Sequence, residues 1–77
     1  MPVEERTDRL GALTTREIQI AKAVSEGRGN RDIATQLGIT EQTVKNHLTS
    51  IYEKVGVGSR LQLALKVLEQ QRGNNQS

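Results

Sequence analysis

The feature that most constrains the fold is a stripe of aliphatic residues in the second half of the chain. Its members follow one another at spacings of four, three and four, which places side chains on one face of an α-helix. The stripe consists of Val44, Leu48, Ile51 and Val55. Thr40 precedes it as a favourable N-cap, and Gly56 follows it as a favourable terminator. The sequence therefore predicts an amphipathic helix with one buried face between these two residues.

The same signals predict three further helices. Capping residues open each of them, and glycines are placed to end the first two, because glycine accepts the left-handed conformation just past a helix terminus. Thr14 and Glu17 have the spacing of a capping box. The predicted limits are Thr14 to Gly27 for the first helix, Asn30 to Gly38 for the second and Ser59 to about Gln71 for the fourth, with Asn30 and Ser59 as N-caps.

Length and composition favour one small all-α domain. The chain has 77 residues, of which 34% are apolar, and Tyr52 is its single aromatic residue, so the core must be built from aliphatic side chains. Residues 1–12 are polar and without helical periodicity, and we interpret them as a flexible arm or an interdomain linker. Residues 13–72 form the domain, and residues 73–77 are predicted to be a disordered polar tail. The sequence leaves open whether Met1 is a native start or the edge of a larger regulator.

Charge and residue types exclude several classes of protein. The net charge is +2, and residues 13–77 carry nine basic and six acidic side chains, a bias that permits nucleic-acid binding without establishing it. The absence of cysteine removes disulfides and thiolate metal sites and fits a reducing cytoplasm. No apolar run approaches the roughly 18 residues of a membrane span. We expect a cytoplasmic protein with no membrane contact, no metal and no cofactor.

The second and third predicted helices are joined by a tight turn that contains Gly38, which is typical of a helix-turn-helix motif over residues 30–49. Opposite the aliphatic stripe, the third helix carries four polar, non-acidic side chains suited to hydrogen bonds with base edges in the major groove. These candidate base-reading residues are Gln42, Lys45, Asn46 and Thr49. The alternative is an ordinary solvated helix face, which composition alone does not exclude.

Phosphate contacts are expected to flank the reading helix. Asn30 and Arg31 begin the second helix, where free backbone N–H groups and the helix dipole favour an anion. Thr43 lies near the start of the third helix. These three residues are the main candidates for contacts with the DNA backbone.

Three other basic residues are weaker candidates for phosphate contacts. Lys54 and Arg60 either reach the DNA backbone or pair with Glu17 or Glu53. His47 lies between the buried stripe and the polar arc, so packing or a supporting hydrogen bond explains it equally well. A lone histidine without cysteine or a second histidine is a poor metal ligand.

The fourth helix has more apolar residues than a helix on a small core needs, over an arc of roughly 200°. Leu61 and Leu65 on one flank, or Leu63 on the other, are expected to be exposed in a monomer. Exposed apolar stripes often mark partner surfaces, so these leucines predict a homodimer with two reading helices. The alternative is a wide core contact, with residues 1–12 covering the remainder.

In these residues the chain resembles the LuxR-type helix-turn-helix domain, found also as the output domain of FixJ/NarL-class response regulators and in small regulators similar to GerE. The resemblance runs from Leu13 to about Leu68. It includes Leu13-Thr14-x-Arg16-Glu17, Gly27-x-x-Asn30-x-x-Ile33-Ala34-x-x-Leu37-x-Ile39-Thr40, and Thr43-Val44-Lys45-x-His47-x-x-x-Ile51-x-x-Lys54-Val55-x-Val57-x-x-Arg60-x-x-x-Ala64.

The resemblance implies a four-helix domain whose third helix enters the major groove and whose last helix often mediates dimerisation. It implies base contacts for Lys45, Asn46 and Thr49 and phosphate contacts for the three residues named above. Gly29 departs from the pattern, since the family more often has Ser or Thr there, and this removes a hydroxyl that would cap the helix or contact DNA.

The resulting prediction is a transcription regulator, or its DNA-binding fragment, that binds double-stranded DNA and has RNA polymerase as a candidate second partner. The alternative is a helical protein-interaction module that does not bind DNA. The sequence indicates no enzyme, because it contains no paired carboxylates, no Ser/His/Asp arrangement and no phosphate-cradling glycine loop in a cleft pattern.

Overall fold

The computed structural model describes residues 12–76 and the side chains of residues 12–71. This part of the chain contains four α-helices and no strand, which confirms the predicted all-α class. The helices are α1 (Thr15–Ser25), α2 (Asn30–Leu37), α3 (Glu41–Val55) and α4 (Arg60–Gln76). The predicted arm lies outside the described residues except for Ala12.

Three helices begin as the capping residues predicted. In α1 the Thr14 hydroxyl accepts from the Glu17 backbone N–H (3.1 Å), and the Glu17 carboxylate accepts from the Thr14 backbone N–H (3.0 Å). The Thr40 hydroxyl caps α3 by accepting from the backbone N–H of Thr43 (3.0 Å). The Ser59 hydroxyl accepts from the backbone N–H of Gln62 (3.2 Å) at the start of α4. Each bond satisfies an N–H group that the helix itself leaves unpaired.

The start of α2 differs from the prediction. Gly29 occupies the N-cap position in extended backbone (φ −85°, ψ 170°) without a side-chain cap, and Asn30 is the first helical residue. The prediction of Asn30 as N-cap was therefore wrong. The physical reason is that the Asn30 carboxamide oxygen accepts a hydrogen bond from Arg60 (2.7 Å) instead of turning back onto the α2 backbone.

The turn between α2 and α3 depends on Gly38, which has the left-handed conformation (φ 71°). This conformation lets Ile39 donate from its backbone N–H to the Ala34 carbonyl (3.0 Å) and Gly38 to the Thr35 carbonyl (3.3 Å). The two bonds form the Schellman arrangement, which satisfies the last carbonyls of α2. Ile39 is half-buried and packs against the core, so α3 leaves the turn at a fixed angle.

All four helices contribute aliphatic side chains to one core. The predicted stripe of α3 is buried along its whole length, and Ile20, Ile33 and Leu63 are fully enclosed beside it. Within the described residues no helix is both long and apolar enough to cross a membrane.

The fourth helix carries two apolar stripes on opposite faces. Leu63 and Val67, four residues apart, face the core with 0% and 6% exposure. Leu63 was predicted as a candidate dimerisation residue, and this was wrong because the residue is part of the core. Leu61, Leu65 and Leu68 form the other stripe at spacings of four and three, with 67%, 53% and 41% exposure.

The end of α4 also differs from the prediction. The helix continues to Gln76, about five residues past its expected end, and so includes most of the segment predicted to be a disordered tail. The residues after Gln71 include glycine but no proline. Glycine weakens a helix without removing a backbone donor, whereas proline would stop it.

Candidate nucleic-acid interface

The outer face of α3 is built by the burial of its inner face. Because the aliphatic stripe faces the core, Gln42, Lys45, Asn46 and Thr49 are all exposed, as the helical spacing predicted. The Lys45 ammonium forms no ion pair with any residue that the structure describes. The face therefore presents a free cation between amide and hydroxyl groups.

Hydrogen bonds within α3 order two of these side chains. Gln42 donates from its amide nitrogen to the carboxamide oxygen of Asn46 (3.1 Å), across one helical turn. This bond uses one lone pair of the Asn46 oxygen and leaves the second lone pair and the amide nitrogen of Asn46 for other contacts. The Thr49 hydroxyl donates to the Lys45 backbone carbonyl (3.1 Å), which leaves the oxygen lone pairs and the methyl group of Thr49 for other contacts.

The start of α2 holds two of the residues predicted to contact the DNA backbone. Arg31 is exposed and Asn30 is half-buried. Since Gly29 supplies no side-chain cap and the first bond of α2 runs from the Ile33 N–H to the Gly29 carbonyl, the N–H groups before Ile33 lack partners within the helix. Asp32 in the same turn is exposed and carries the opposite charge.

Thr43 is half-buried in the first turn of α3. Its hydroxyl lies 2.9 Å from the hydroxyl of Thr40, and its backbone N–H is taken by the α3 cap. The Thr43 side chain therefore belongs to the α3 N-terminus, and its predicted contact with phosphate stays a prediction.

Lys54 forms an ion pair with Glu17, which was one of the alternatives that the sequence left open. Its ammonium donates to the Glu17 carboxylate at 2.8 Å, and the Ser50 hydroxyl donates to the second oxygen of the same carboxylate at 3.0 Å. Together with the capping bond to the Thr14 N–H, Glu17 holds the beginning of α1 against the rear half of α3. Lys54 is thus engaged in the fold rather than free for DNA.

Burial of the Glu17 carboxyl by itself raises its pKa. The hydrogen bonds from Lys54, the Thr14 backbone and Ser50 outweigh that effect and lower the pKa from 4.5 to about 2. Glu17 is therefore ionised at neutral pH although its side chain is only 6% exposed. The sequence pattern predicted the capping role of Glu17 and left its pairing with Lys54 as one of several alternatives, and it contained no signal for Ser50.

The contacts of Arg60 within the fold differ from the ion pair that the sequence offered as one alternative. Its guanidinium donates from Nη1 to the Asn30 carboxamide oxygen and from Nη2 to the Arg28 backbone carbonyl, both at 2.7 Å. The predicted acidic partners, Glu17 and Glu53, are not used. Arg60 at the start of α4 is thus tied to the start of α2, a contact that helix-by-helix reading of the sequence did not find.

His47 is half-buried between the core face and the polar face of α3, as expected from its helical position. Its role stays a prediction. No group of histidine and acidic residues within the described part of the chain is arranged to hold a metal ion.

Comparison with known proteins identifies the class to which this fold and surface belong. Residues 11–67 match the family described as GerE, the bacterial regulatory proteins of the luxR family. The match covers more than half of the chain, and the chain belongs to the luxR family.

Individual relatives agree with this assignment. A protein of Mycobacterium tuberculosis strain H37Rv that is named as an HTH-type transcriptional regulator, Rv0890c, is 47% identical over 53 residues, which cover 69% of this chain and 6% of the relative. The transcriptional regulatory protein YdfI of Bacillus subtilis is 48% identical over 48 residues, or 62% of this chain and 22% of the relative.

The nitrate/nitrite response regulator protein NarP of Escherichia coli is 39% identical over 66 residues, which cover 86% of this chain and 30% of the relative. The chain thus spans from 6% to 30% of the length of these relatives. The similarity concerns one domain of each longer protein.

Proposed function

We propose that this chain binds double-stranded DNA in a sequence-dependent manner, with α3 in the major groove, as the DNA-binding domain of a transcription regulator. One observation carries the proposal. Burial of the aliphatic stripe leaves Gln42, Lys45, Asn46 and Thr49 exposed together in the N-terminal half and middle of α3. Helices of helix-turn-helix proteins contact base edges with this part of the recognition helix.

The exposed groups suit base edges better than they suit phosphate alone. A lysine ammonium donates to guanine O6 or N7, and amide side chains donate and accept at adenine. The Gln42–Asn46 hydrogen bond reduces the freedom of both side chains before binding. Ordering of this kind lowers the entropy that is lost when an interface forms.

Backbone contacts are assigned to Asn30 and Arg31 at the start of α2 and to Thr43 at the start of α3. The unpaired N–H groups of the first turn of α2 and the charge of Arg31 favour an anion there. Contacts with phosphate fix the register of a protein on the duplex, while contacts with base edges provide specificity.

The chain is proposed to act as a homodimer through the outer stripe of α4. Leu61, Leu65 and Leu68 form an exposed apolar ridge on the face opposite the core, and patches of this kind commonly mark protein contacts. A two-fold dimer would present two copies of α3 to two half-sites. Leu63 has no part in this contact because it is buried.

The identities of the relatives support a wider setting. Since NarP is named a response regulator and the chain matches less than a third of its length, we propose that this domain is the output module of a longer bacterial regulator. Such a protein works in the cytoplasm, where the chromosome is, and RNA polymerase is its candidate second partner.

Selection of binding sites from a pool of random duplexes, carried out at a low and a high salt concentration, tests the proposal. The expected result is a recurrent sequence whose affinity falls steeply with salt, because phosphate contacts release counterions. Recovery of no preferred sequence, together with tight and salt-insensitive binding to a protein, would instead identify the domain as a protein-interaction module.

A further inference from the structure

Arg60 forms a fork of two hydrogen bonds to the residues on either side of Gly29, the N-cap of α2. Among the four helices described above, α2 is the one whose N-cap provides no side-chain hydrogen bond. The two acceptors of the fork are the backbone carbonyl of Arg28 and the side-chain oxygen of Asn30, each 2.7 Å from a guanidinium nitrogen. Gly29 lies between these acceptors and provides no side-chain cap for α2. Arg60 therefore holds both neighbours of the residue with the greatest conformational freedom at this junction.

The fork also fixes the direction of the Asn30 carboxamide. A guanidinium group has only donors, so it can be met by the carboxamide oxygen but not by the carboxamide nitrogen. A rotation of the amide by half a turn would bring N–H groups against N–H groups. With the oxygen occupied, the two N–H donors of Asn30 are directed away from Arg60, in the same turn as the unpaired backbone N–H groups of α2.

We propose that Arg60 is a positioning residue, which orients the Asn30 carboxamide so that its nitrogen donates to a DNA phosphate at the start of α2. The inference rests on the proposed function and names a residue on α4 that acts through α2. Arg60 sets the geometry of this contact, and its own charge does not meet the phosphate. Asn30 is a neutral donor, so its bond to phosphate adds affinity without displacing a counterion.

The test compares the full 77-residue chain with Arg60→Lys, Arg60→Ala, Asn30→Ala and the double variant Arg60→Lys/Asn30→Ala. Lysine keeps the charge but cannot reproduce the two-pronged geometry of arginine. Affinity for a short duplex of mixed sequence is measured over a range of salt concentrations, at a temperature well below the melting point of the least stable variant. Arg28→Lys is the matched control, because it makes the same exchange at the other end of the fork, where only the backbone carbonyl of residue 28 takes part.

For Arg60→Lys we expect a loss of affinity of about threefold to tenfold, the range that one lost hydrogen bond produces, with an unchanged salt slope. In the Asn30→Ala background the same exchange should cost less than about twofold, because the group on which Arg60 acts is already absent. The Arg28→Lys control should stay within about twofold of the unsubstituted chain.

Three results would overturn the inference. Equal losses in both backgrounds would mean that Arg60 acts independently of Asn30. A lowered melting point with unchanged affinity would mean that the fork serves stability alone. A salt slope flatter by about one for Arg60→Ala would make Arg60 itself a phosphate contact. Failure of the unsubstituted chain to bind DNA would refute the proposed function instead, and so is distinct from these outcomes.

Discussion

Glu17 is the only buried charged side chain among the residues that the structure describes. Its carboxylate accepts from the Thr14 N–H, the Ser50 hydroxyl and the Lys54 ammonium. Removal of a charge from water is costly unless the lone pairs find donors, and here three donors supply that compensation. The group therefore stabilises the contact of α1 with α3 more strongly when it is ionised than when it is protonated.

The lowered pKa of Glu17 gives the stability a defined pH dependence. The pKa of Glu17 falls from 4.5 to about 2 on folding. The ionised carboxylate therefore adds its full share to the free energy of unfolding above about pH 4.5, and this share is lost as the pH falls toward 2. The share amounts to about 3 kcal/mol at most. Glu17→Gln should lower the free energy of unfolding by about 1–3 kcal/mol near neutral pH and flatten its decline in acid. Urea unfolding near pH 7 and near pH 3 measures both effects, and equal acid sensitivity of the two proteins would contradict this assignment.

Two glycines should respond oppositely to substitution. Gly29 has φ −85° and open space around it, so Gly29→Ser should raise the free energy of unfolding by about 0.5–1 kcal/mol, through a new cap and a less flexible unfolded chain. Gly38 also has open space around it but has φ 71°. Gly38→Ala should therefore lower the free energy of unfolding by about 1–2 kcal/mol through backbone strain. Thermal unfolding compares the two, and a shift of the same sign in both would refute the backbone argument.

At the scale of the helices, α3 is fixed at both ends. The Gly38 turn and the Thr40 cap hold its beginning, and the bonds from Ser50 and Lys54 to Glu17 hold its rear half. A helix held in this way keeps its outer face in one orientation relative to α1. The proposed base-reading groups therefore approach DNA as one rigid set.

Two substitutions separate base contacts from phosphate contacts. Lys45→Ala on α3 should weaken binding to the selected sequence by about 1–3 kcal/mol and relax the preference at one base position. Arg31→Ala on α2 should weaken binding to all sequences alike and flatten the salt slope by about one. Titrations of specific and mixed-sequence duplexes measure both effects.

Lys66→Ala provides the matched control for these substitutions, because it removes the same charge from α4, beside the end of α3. We expect it to change binding little. A loss for Lys45→Ala that is equal on all sequences would assign Lys45 to phosphate alone.

The sequence predicted α3 most completely, because a stripe at helical spacing also specifies the opposite face. It failed at Asn30 and Leu63 for a shared reason. Asn30 has a favourable N-cap side chain, but this side chain accepts a hydrogen bond from Arg60, which lies 30 positions later in the chain. Packing against the other helices determines which stripe of α4 faces inward. Contacts between distant segments of the chain determine the roles of both residues. The periodicity within one helix carries no information about such contacts.

At the scale of the whole molecule, the outer ridge of α4 predicts self-association. Leu65→Glu should abolish dimers without harming the fold, because Leu65 is 53% exposed on the face opposite the core and a charge there opposes burial in an interface. Ile18→Glu is the matched control, since Ile18 on α1 is 49% exposed but lies outside the ridge. Sedimentation with and without a duplex that carries two half-sites measures the association state.

A monomer of the unsubstituted chain under both conditions would refute the dimer. So would an equal response to the two glutamate substitutions, because the ridge would then have no special part in association. The class of fold and the order of the four helices followed from the sequence, whereas the choice of the outer stripe of α4 required the packed molecule.

The hydroxyl hydrogen of Thr49 is already committed to the Lys45 carbonyl, and this restricts which base pair can lie beneath that side chain. A guanine edge offers only acceptors there and would find no hydrogen to share. Adenine and cytosine each offer an amino hydrogen for the Thr49 oxygen, but only the adenine–thymine pair also offers a methyl group, on thymine, for the Thr49 methyl. The preferred operator should accordingly carry adenine–thymine at the step that Thr49 covers.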